Sequence, residues 1–325
     1  MLKMKTNELA LNKKVTINGG LNRKRDGFID NICQHPLLYL MALPVIIYYV
    51  VFHYIPMYGI IISFQNFVPA KGVMGSDWVG LDQFTKFFNN IYFLRLMRNT
   101  FLISFCDLFF GFPAPILFAL LLNEIKSNKF KKITQTVTYM PHFISLVVIC
   151  GLVFTFTKST SPISQMIAGI QNTGPLNLLT NSDYFRTIFT ASGIWQGFGW
   201  GSIIYFAALS SVDPALYEAA VLDGAGRFKQ AIYVTLPSIA PTIIIMLIFR
   251  IGSLMSVGYE KIILLYAPIT YETSDVISSY VYRSGIVELN YSYGTAVGLF
   301  NSIINLVLVL GANWLSRKAT ETSLW

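Results

Sequence analysis

Charge is scarce in this chain. Only 12% of its 325 residues are Asp, Glu, Lys or Arg, about half of the roughly 25% found in soluble domains. With 54% of residues hydrophobic, too little polar surface remains for a soluble α/β enzyme. Cysteine is nearly absent as well. Cys33, Cys106 and Cys150 have no motif spacing, so neither a disulfide framework nor a metal site follows from them. Two of them lie in apolar runs, where cysteine acts as a small packing residue. His35, His53 and His142 are scattered, and no Gly-x-x-x-x-Gly-Lys-Ser/Thr phosphate loop occurs. No repeat of roughly 20–50 residues is visible. The first apolar run starts only near Leu37, behind a long basic leader and with no small-residue cleavage site after it. A cleavable signal peptide is therefore not expected.

What the chain does have is apolar residues grouped into runs of bilayer length, with a mean hydropathy of +0.55. A helix needs about 20 such residues to span a membrane. Six candidate spans stand out, near 37–62, 99–122, 136–157, 186–209, 238–256 and 292–315. The expected fold is an all-α integral membrane bundle, 37–325, behind a basic N-terminal segment, 1–36. Pro44, Pro56, Pro113, Pro115, Pro141 and Pro241 are compatible with membrane helices, where neighbours re-satisfy the backbone. Fifteen of the 24 basic residues fall in the leader, in the loop after the second span, in an insert at 210–237 and after the last span. The bias of Lys and Arg to the cytoplasmic side then places both termini and the insert there. The net charge of +8 is dispersed at span flanks, so it is no nucleic-acid signal.

Three longer segments, 63–98, 158–185 and 257–291, face the other side. Trp78, Tyr92, Tyr271, Tyr280, Tyr282, Tyr291 and Tyr293 fit interfacial anchors or loop packing; stacking on sugars or docking a partner protein is the alternative.

The insert is the most informative stretch. Asp213-Pro214 is a strong helix start, with Asp as N-cap and Pro at the first helical position. A short helix is expected over Ala215–Leu222, a break at Gly224 and Gly226, and a second short helix over Arg227–Val234 before Pro237 opens the fifth span. Glu218 sits on the first arm beside the small residues Ala219 and Ala220. Small residues admit a close partner surface, and a carboxylate fixes register through a charge-assisted hydrogen bond. An ordinary amphipathic connector fits the same residues.

Inside the spans, Asp107 and Arg250 are the charged residues. Counted from the span ends, each lies about 9 Å below the outer surface, so they are candidates to pair or to line a pore, with unrelated bundle contacts as the alternative. Asn301 and Asn305 share a helix face and would either contact sugar hydroxyls or tie two helices together. Trp195, Trp200 and Tyr205 are candidate stacking groups or packing residues. Gly193, Gly197 and Gly201, at four-residue spacing with Gly199 between them, suit close helix approach within the subunit or to a second one.

Glu218-Ala219-Ala220, Asp223-Gly224-Ala225, Arg227 and Leu236-Pro237 resemble the EAA loop of binding-protein-dependent ABC importer permeases. Val234 stands where that pattern usually has Ile. Arg98-Asn99-Thr100, Gly111-Phe112-Pro113-Ala114-Pro115, Met140-Pro141-His142-Phe143-Ile144-Ser145 and Tyr293-Gly294-Thr295-Ala296 are similar to the carbohydrate branch, including the subgroup with the alginate importer. The resemblance covers about Leu37 to Lys318. It implies a type I importer permease in the cytoplasmic membrane of a prokaryote, forming half of a sugar pore. A second, distinct permease, two ATPases carrying ATP and Mg²⁺, and an extracytoplasmic solute-binding protein are the implied partners. The chain itself would bind no cofactor and catalyse nothing. The loop would seat in a groove of the ATPase.

Two other classes remain open. A membrane-embedded enzyme of lipid or polysaccharide metabolism would need clustered acid/base or metal-binding groups. An ion-coupled secondary transporter would more often show inverted repeats and interrupted helices. Co-purification with an ATPase discriminates among the three.

Overall fold

Prolines shape the long helices. A proline inside a helix lacks an N–H and presses on the carbonyl four residues back, and this chain absorbs three of them in one way. A π turn, Val50–Tyr54, Asp107–Gly111 or Ala231–Thr235, ends two residues before Pro56, Pro113 or Pro237. In each, the residue preceding the proline donates to the carbonyl five back: Ile55 to Val50, Phe112 to Asp107 and Leu236 to Ala231. The widened turn keeps the helix continuous through the proline.

The structure, a computed structural model, describes residues 36–320 and 323–324. The basic leader, with Cys33 and His35, lies outside the described residues. The chain divides into two compact units, 1–59 and 60–325. The described part of the first is helical and opens α1, Pro36–Phe64. The second holds α2 (Phe93–Glu124), α3 (Asn128–Phe143), α4 (Leu146–Thr157), α5 (Ser182–Ser210), α6 (Pro214–Leu222), α7 (Arg227–Gly252), α8 (Tyr259–Leu265) and α9 (Tyr291–Thr320). Its only strands among the described residues, β1 (Gln65–Asn66) and β2 (Asp77–Trp78), form one antiparallel pair.

Among the described residues, α1, α2, α7 and α9 are long and apolar enough to cross a membrane, and α3 with α4 makes a fifth if the bent pair is one span. The third expected run, 136–157, is thus not straight. It bends by 99° between Phe143 and Leu146, where Pro141 breaks the ladder and the Ser145 hydroxyl caps α4 by accepting from Val148 N. The fourth expected span is α5, 29 residues long but more polar, with Ser192, Gln196 and Ser202 along it. Gln196 lines a cavity, whereas the Ser192 and Ser202 hydroxyls donate to carbonyls of α5 itself, Ile188 and Gly199.

The core is three apolar clusters, and α2 contributes to each: Leu96 to the first, Ile103 to the second, Ile116 and Ala119 to the third. At 1.5 Å per residue, Leu96 and Ile116 are about 30 Å apart, so one helix links all three clusters. Phe185 at one end of α5 and Tyr205 and Leu209 at the other pack into the second and third clusters. Close approach is set by glycine at a few points. A Cβ on Gly199 would overlap the Thr138 carbonyl of α3, whereas one on Gly197 would meet nothing. Gly201 faces Pro115. The α5 glycines therefore serve packing inside the subunit, and Gly197 is the member left open. Gly294 passes Gly285 backbone to backbone, which accounts for a glycine between Tyr293 and Thr295.

Candidate functional site

The insert folds as an elbow. Asp213 accepts from Ala215 N at 2.9 Å and Pro214 starts α6. The helix ends in a Schellman motif, with Ala225 N donating to Ala220 O at 2.8 Å and Gly224 N to Val221 O at 3.0 Å. Gly224 holds the left-handed turn at φ +75°, a conformation that costs most residues about 1–2 kcal/mol. The second arm departs from the expectation of a separate short helix over Arg227–Val234. It is the first turn of α7, joined to the span through the π turn at Ala231–Thr235, because that turn accommodates Pro237. Gln230 donates to Ala225 O at 2.7 Å, and Tyr217 Oη lies 3.1 Å from Thr235 Oγ1. These two bonds brace the arms. Arg227 also pairs with Glu124 at 3.4 Å.

Glu218, Ala219, Asp223, Gly224, Arg227 and Pro237 are exposed, while Ala220, Ala225 and Leu236 are half-buried. The elbow also exposes apolar side chains, Leu222 at 88% and Phe228 at 79%. A rigid, braced elbow with outward apolar side chains and a carboxylate is suited to gripping another protein.

At the other end, Asp275 organises a clamp. Its side chain is fully buried and pairs with Arg283 at 2.7 Å and Arg95 at 3.4 Å, and Ser279 Oγ donates to it at 2.9 Å. Burial alone would lower the Arg283 pKa; the hydrogen-bonded Asp275 carboxylate reverses this and holds it above the usual arginine range. Asn99 donates to the carbonyls of Glu272 and Asp275, both at 3.0 Å, and accepts from Arg186 at 2.8 Å. Arg98 pairs with Glu272 at 2.7 Å, and Thr100 Oγ1 accepts from Ile277 N at 3.0 Å. Arg98-Asn99-Thr100 thus fastens the 257–291 segment to α2. Tyr280 and Tyr293, expected as interfacial anchors or loop packing, are packed: both are buried with their hydroxyls 3.2 Å apart, and Asn90 donates to both.

Between these ends is a cavity of about 690 Å³. Asp107 and Arg250 lie on its wall as an ion pair. Asp107 is fourteen residues into α2, which begins at Phe93, and Arg250 is two from the end of α7. The end of α7 thus lies beside the middle of α2, where Ser104 Oγ also donates to the Leu254 carbonyl. Tyr205 also lines this cavity, buried in the third cluster. Trp195 is not among its lining residues and is half-exposed; Trp200 stacks on His142 at 4.7 Å. The two asparagines part company. Asn305 ties α9 to the end of α7, accepting from Met255 N at 3.0 Å and donating to Ser256 Oγ at 2.8 Å. Asn301 lines a second cavity of about 320 Å³ with its buried Oδ1 unbonded.

Sequence reasoning missed Asp275, Arg283 and Lys261. Asp275 and Arg283 lie eight residues apart and pair with each other, but they, like Lys261, sit in an outer segment with no motif to mark the contact. No metal-binding group of three or more His, Cys, Asp or Glu exists among the described residues.

Long apolar helices around a charged, solute-sized cavity, with a braced, exposed elbow beyond them, define a multi-pass membrane transport component. The chain belongs to the binding-protein-dependent transport system inner membrane component family, whose model matches residues 104–321. It is 42% identical to Protein LplB of Bacillus subtilis (strain 168), over 89% of this chain and 91% of that one. It is 40% identical to the polygalacturonan/rhamnogalacturonan transport system permease protein YteP of the same organism, over 93% and 94%. Among solved structures it resembles a chain of the bacterial alginate ABC transporter in complex with alginate pentasaccharide-bound periplasmic protein. The identity is 43% and the TM-score 0.82, over 91% of this chain and 99% of that one.

Proposed function

We propose that this chain forms half of the translocation pore of an ATP-driven, binding-protein-dependent importer of oligosaccharides or polysaccharide fragments. The observation that carries the reading is its likeness, over nearly its full length, to a permease chain of the alginate importer; the polygalacturonan/rhamnogalacturonan relative supports the same substrate class. The complete assembly would add a second, distinct permease, two ATPases that hold ATP and Mg²⁺, and an extracytoplasmic solute-binding protein. Both termini and the elbow would be cytoplasmic.

Coupling would run through the elbow. Glu218, Ala219 and Ala220 would enter an ATPase groove on α6, with Asp223, Gly224 and Ala225 closing the turn behind them. Arg227, Leu236 and Pro237 would pass the movement into α7. Because Arg250 is on the same helix and pairs with Asp107 of α2, motion of α7 would reach the cavity wall directly. Asn301 and Tyr205 would line the sugar path, Asn305 would join helices, and Trp195 would pack at the margin.

Affinity purification of the membrane complex tests this. A stoichiometric ATPase is expected to accompany the wild-type chain. Glu218→Lys should release it while the second permease is retained. Retention of the ATPase by Glu218→Lys would refute the role given to the elbow.

A further inference from the structure

Lys261 is a buried cation without a counter-charge. It lies on α8, is only 9% exposed, and lines the same 690 Å³ cavity as Asp107 and Arg250. No carboxylate pairs with it among the described residues. Its ammonium donates once, to the Phe189 carbonyl at 2.9 Å, and rests over the Phe189 ring at 4.7 Å. An ammonium has three donors, so two remain without a protein acceptor. Gly193 makes room for it: a Cβ there would come within 3.2 Å of Nζ.

The charge balance of the wall gives this position its meaning. The ionisable residues lining the cavity are Asp107, Tyr205, Arg250 and Lys261. Asp107 and Arg250 neutralise each other, and a buried tyrosine is uncharged near neutrality. One net positive charge is left, at Lys261. Removing a cation from water without pairing it is costly, and burial pushes this amine down to about 8. Clamping α8 onto the α5 carbonyl would need only a neutral donor. An ammonium kept at that cost, with donors to spare on a cavity wall, is suited to an anion that arrives from outside.

We propose that Lys261 is a specificity-determining residue that binds the carboxylate of an acidic sugar, a uronic acid unit, as the oligosaccharide crosses this half of the pore. The inference rests on the oligosaccharide reading above. The passing carboxylate supplies the missing charge, and the Asp107–Arg250 pair beside it leaves the rest of the wall neutral, so the hold stays weak enough for release.

The test uses the assembled complex, with its ATPases and binding protein, in proteoliposomes. Uptake of a galacturonic acid pentasaccharide and of its fully methyl-esterified form is measured for wild type, Lys261→Arg, Lys261→Gln and Lys261→Met. Uptake of the acid by the Gln and Met variants should fall about tenfold, the size of one lost charge-assisted hydrogen bond. The Arg variant should keep most of it, and uptake of the ester should not change. If the ester is not carried at all, the contrast of Arg with Gln on the acid probe decides alone. Wild-type uptake of the acid by the Gln variant, an equal fall for Arg and Gln, or a parallel fall for acid and ester would overturn the proposal. A wild-type complex that carries the ester but not the acid would overturn it too, leaving the oligosaccharide reading intact. A complex that carries neither probe with ATP but carries a neutral oligosaccharide would overturn the proposal alone, and one that carries no oligosaccharide with ATP would overturn both.

Discussion

At the scale of single residues, electrostatics separates groups that stabilise the fold from one that weakens it. Asp275 is the anchor of the outer clamp, fully buried between Arg95 and Arg283. Asp275→Asn leaves two guanidinium groups short of their partner, and breaking a buried pair in this way costs about 3–5 kcal/mol. A large drop in the unfolding temperature of the purified protein is expected, with no dependence on sugar. Lys261 has the opposite sign. Its folded pKa is about 8, against an ordinary 10.5, so between those values the unfolded chain holds a proton that the folded chain lacks. Wild-type stability therefore rises with pH through that window. Lys261→Met removes the penalty and should be more stable below pH 8, on the order of 2–3 kcal/mol, the gain vanishing as pH approaches 10.5. Denaturant unfolding at several pH values measures it. Asp107 and Arg250 can be tested by exchange: each neutralised alone should lower uptake, and the double variant Asp107→Arg, Arg250→Asp should recover part of it.

At the scale of elements, glycine and proline positions decide geometry. Gly224→Ala must hold an αL turn with a Cβ and should cost about 1 kcal/mol; limited proteolysis would detect a loosened elbow. Gly199→Ala collides with the Thr138 carbonyl and should cost about 1–3 kcal/mol as overpacking, whereas Gly197→Ala, with open space around it, should leave the melting temperature unchanged. Much of this was legible beforehand. Asp213-Pro214 and Gly224 marked both ends of α6, since capping and turn chemistry are local. The bend after Phe143 was not legible, because apolar residues continue through it and its marks, Pro141 and a capping Ser145, are also compatible with a continuous membrane helix. The π turns were hidden for a related reason: a proline announces a broken ladder but not how the helix repairs it.

At the scale of the whole molecule, the two ends of the large unit have different constructions. The elbow end is braced by a few bonds, Gln230 to Ala225 and Tyr217 to Thr235, and presents apolar side chains outward. The opposite end is locked by a dense polar network around Asp275 and Asn99. A subunit that receives force at one end and presents solute at the other suits this asymmetry. The broad architecture followed from grouped apolar runs, and the elbow from its motif. The cavity was readable only in part: charge inside the apolar runs marked Asp107 and Arg250 as candidates to pair or line a pore, but nothing local places Lys261, in an outer segment, on the same wall.

The central claim is that ATP hydrolysis, entering through the elbow, moves an oligosaccharide through a pore half formed by this chain. Its most direct test is uptake of a labelled oligosaccharide into proteoliposomes of the assembled complex, with ATP supplied on the ATPase side and loaded binding protein on the other. Uptake is expected only when both are present, and it should be lost in Glu218→Lys. Accumulation driven by an ion gradient without ATP, or undiminished in Glu218→Lys, would contradict the account.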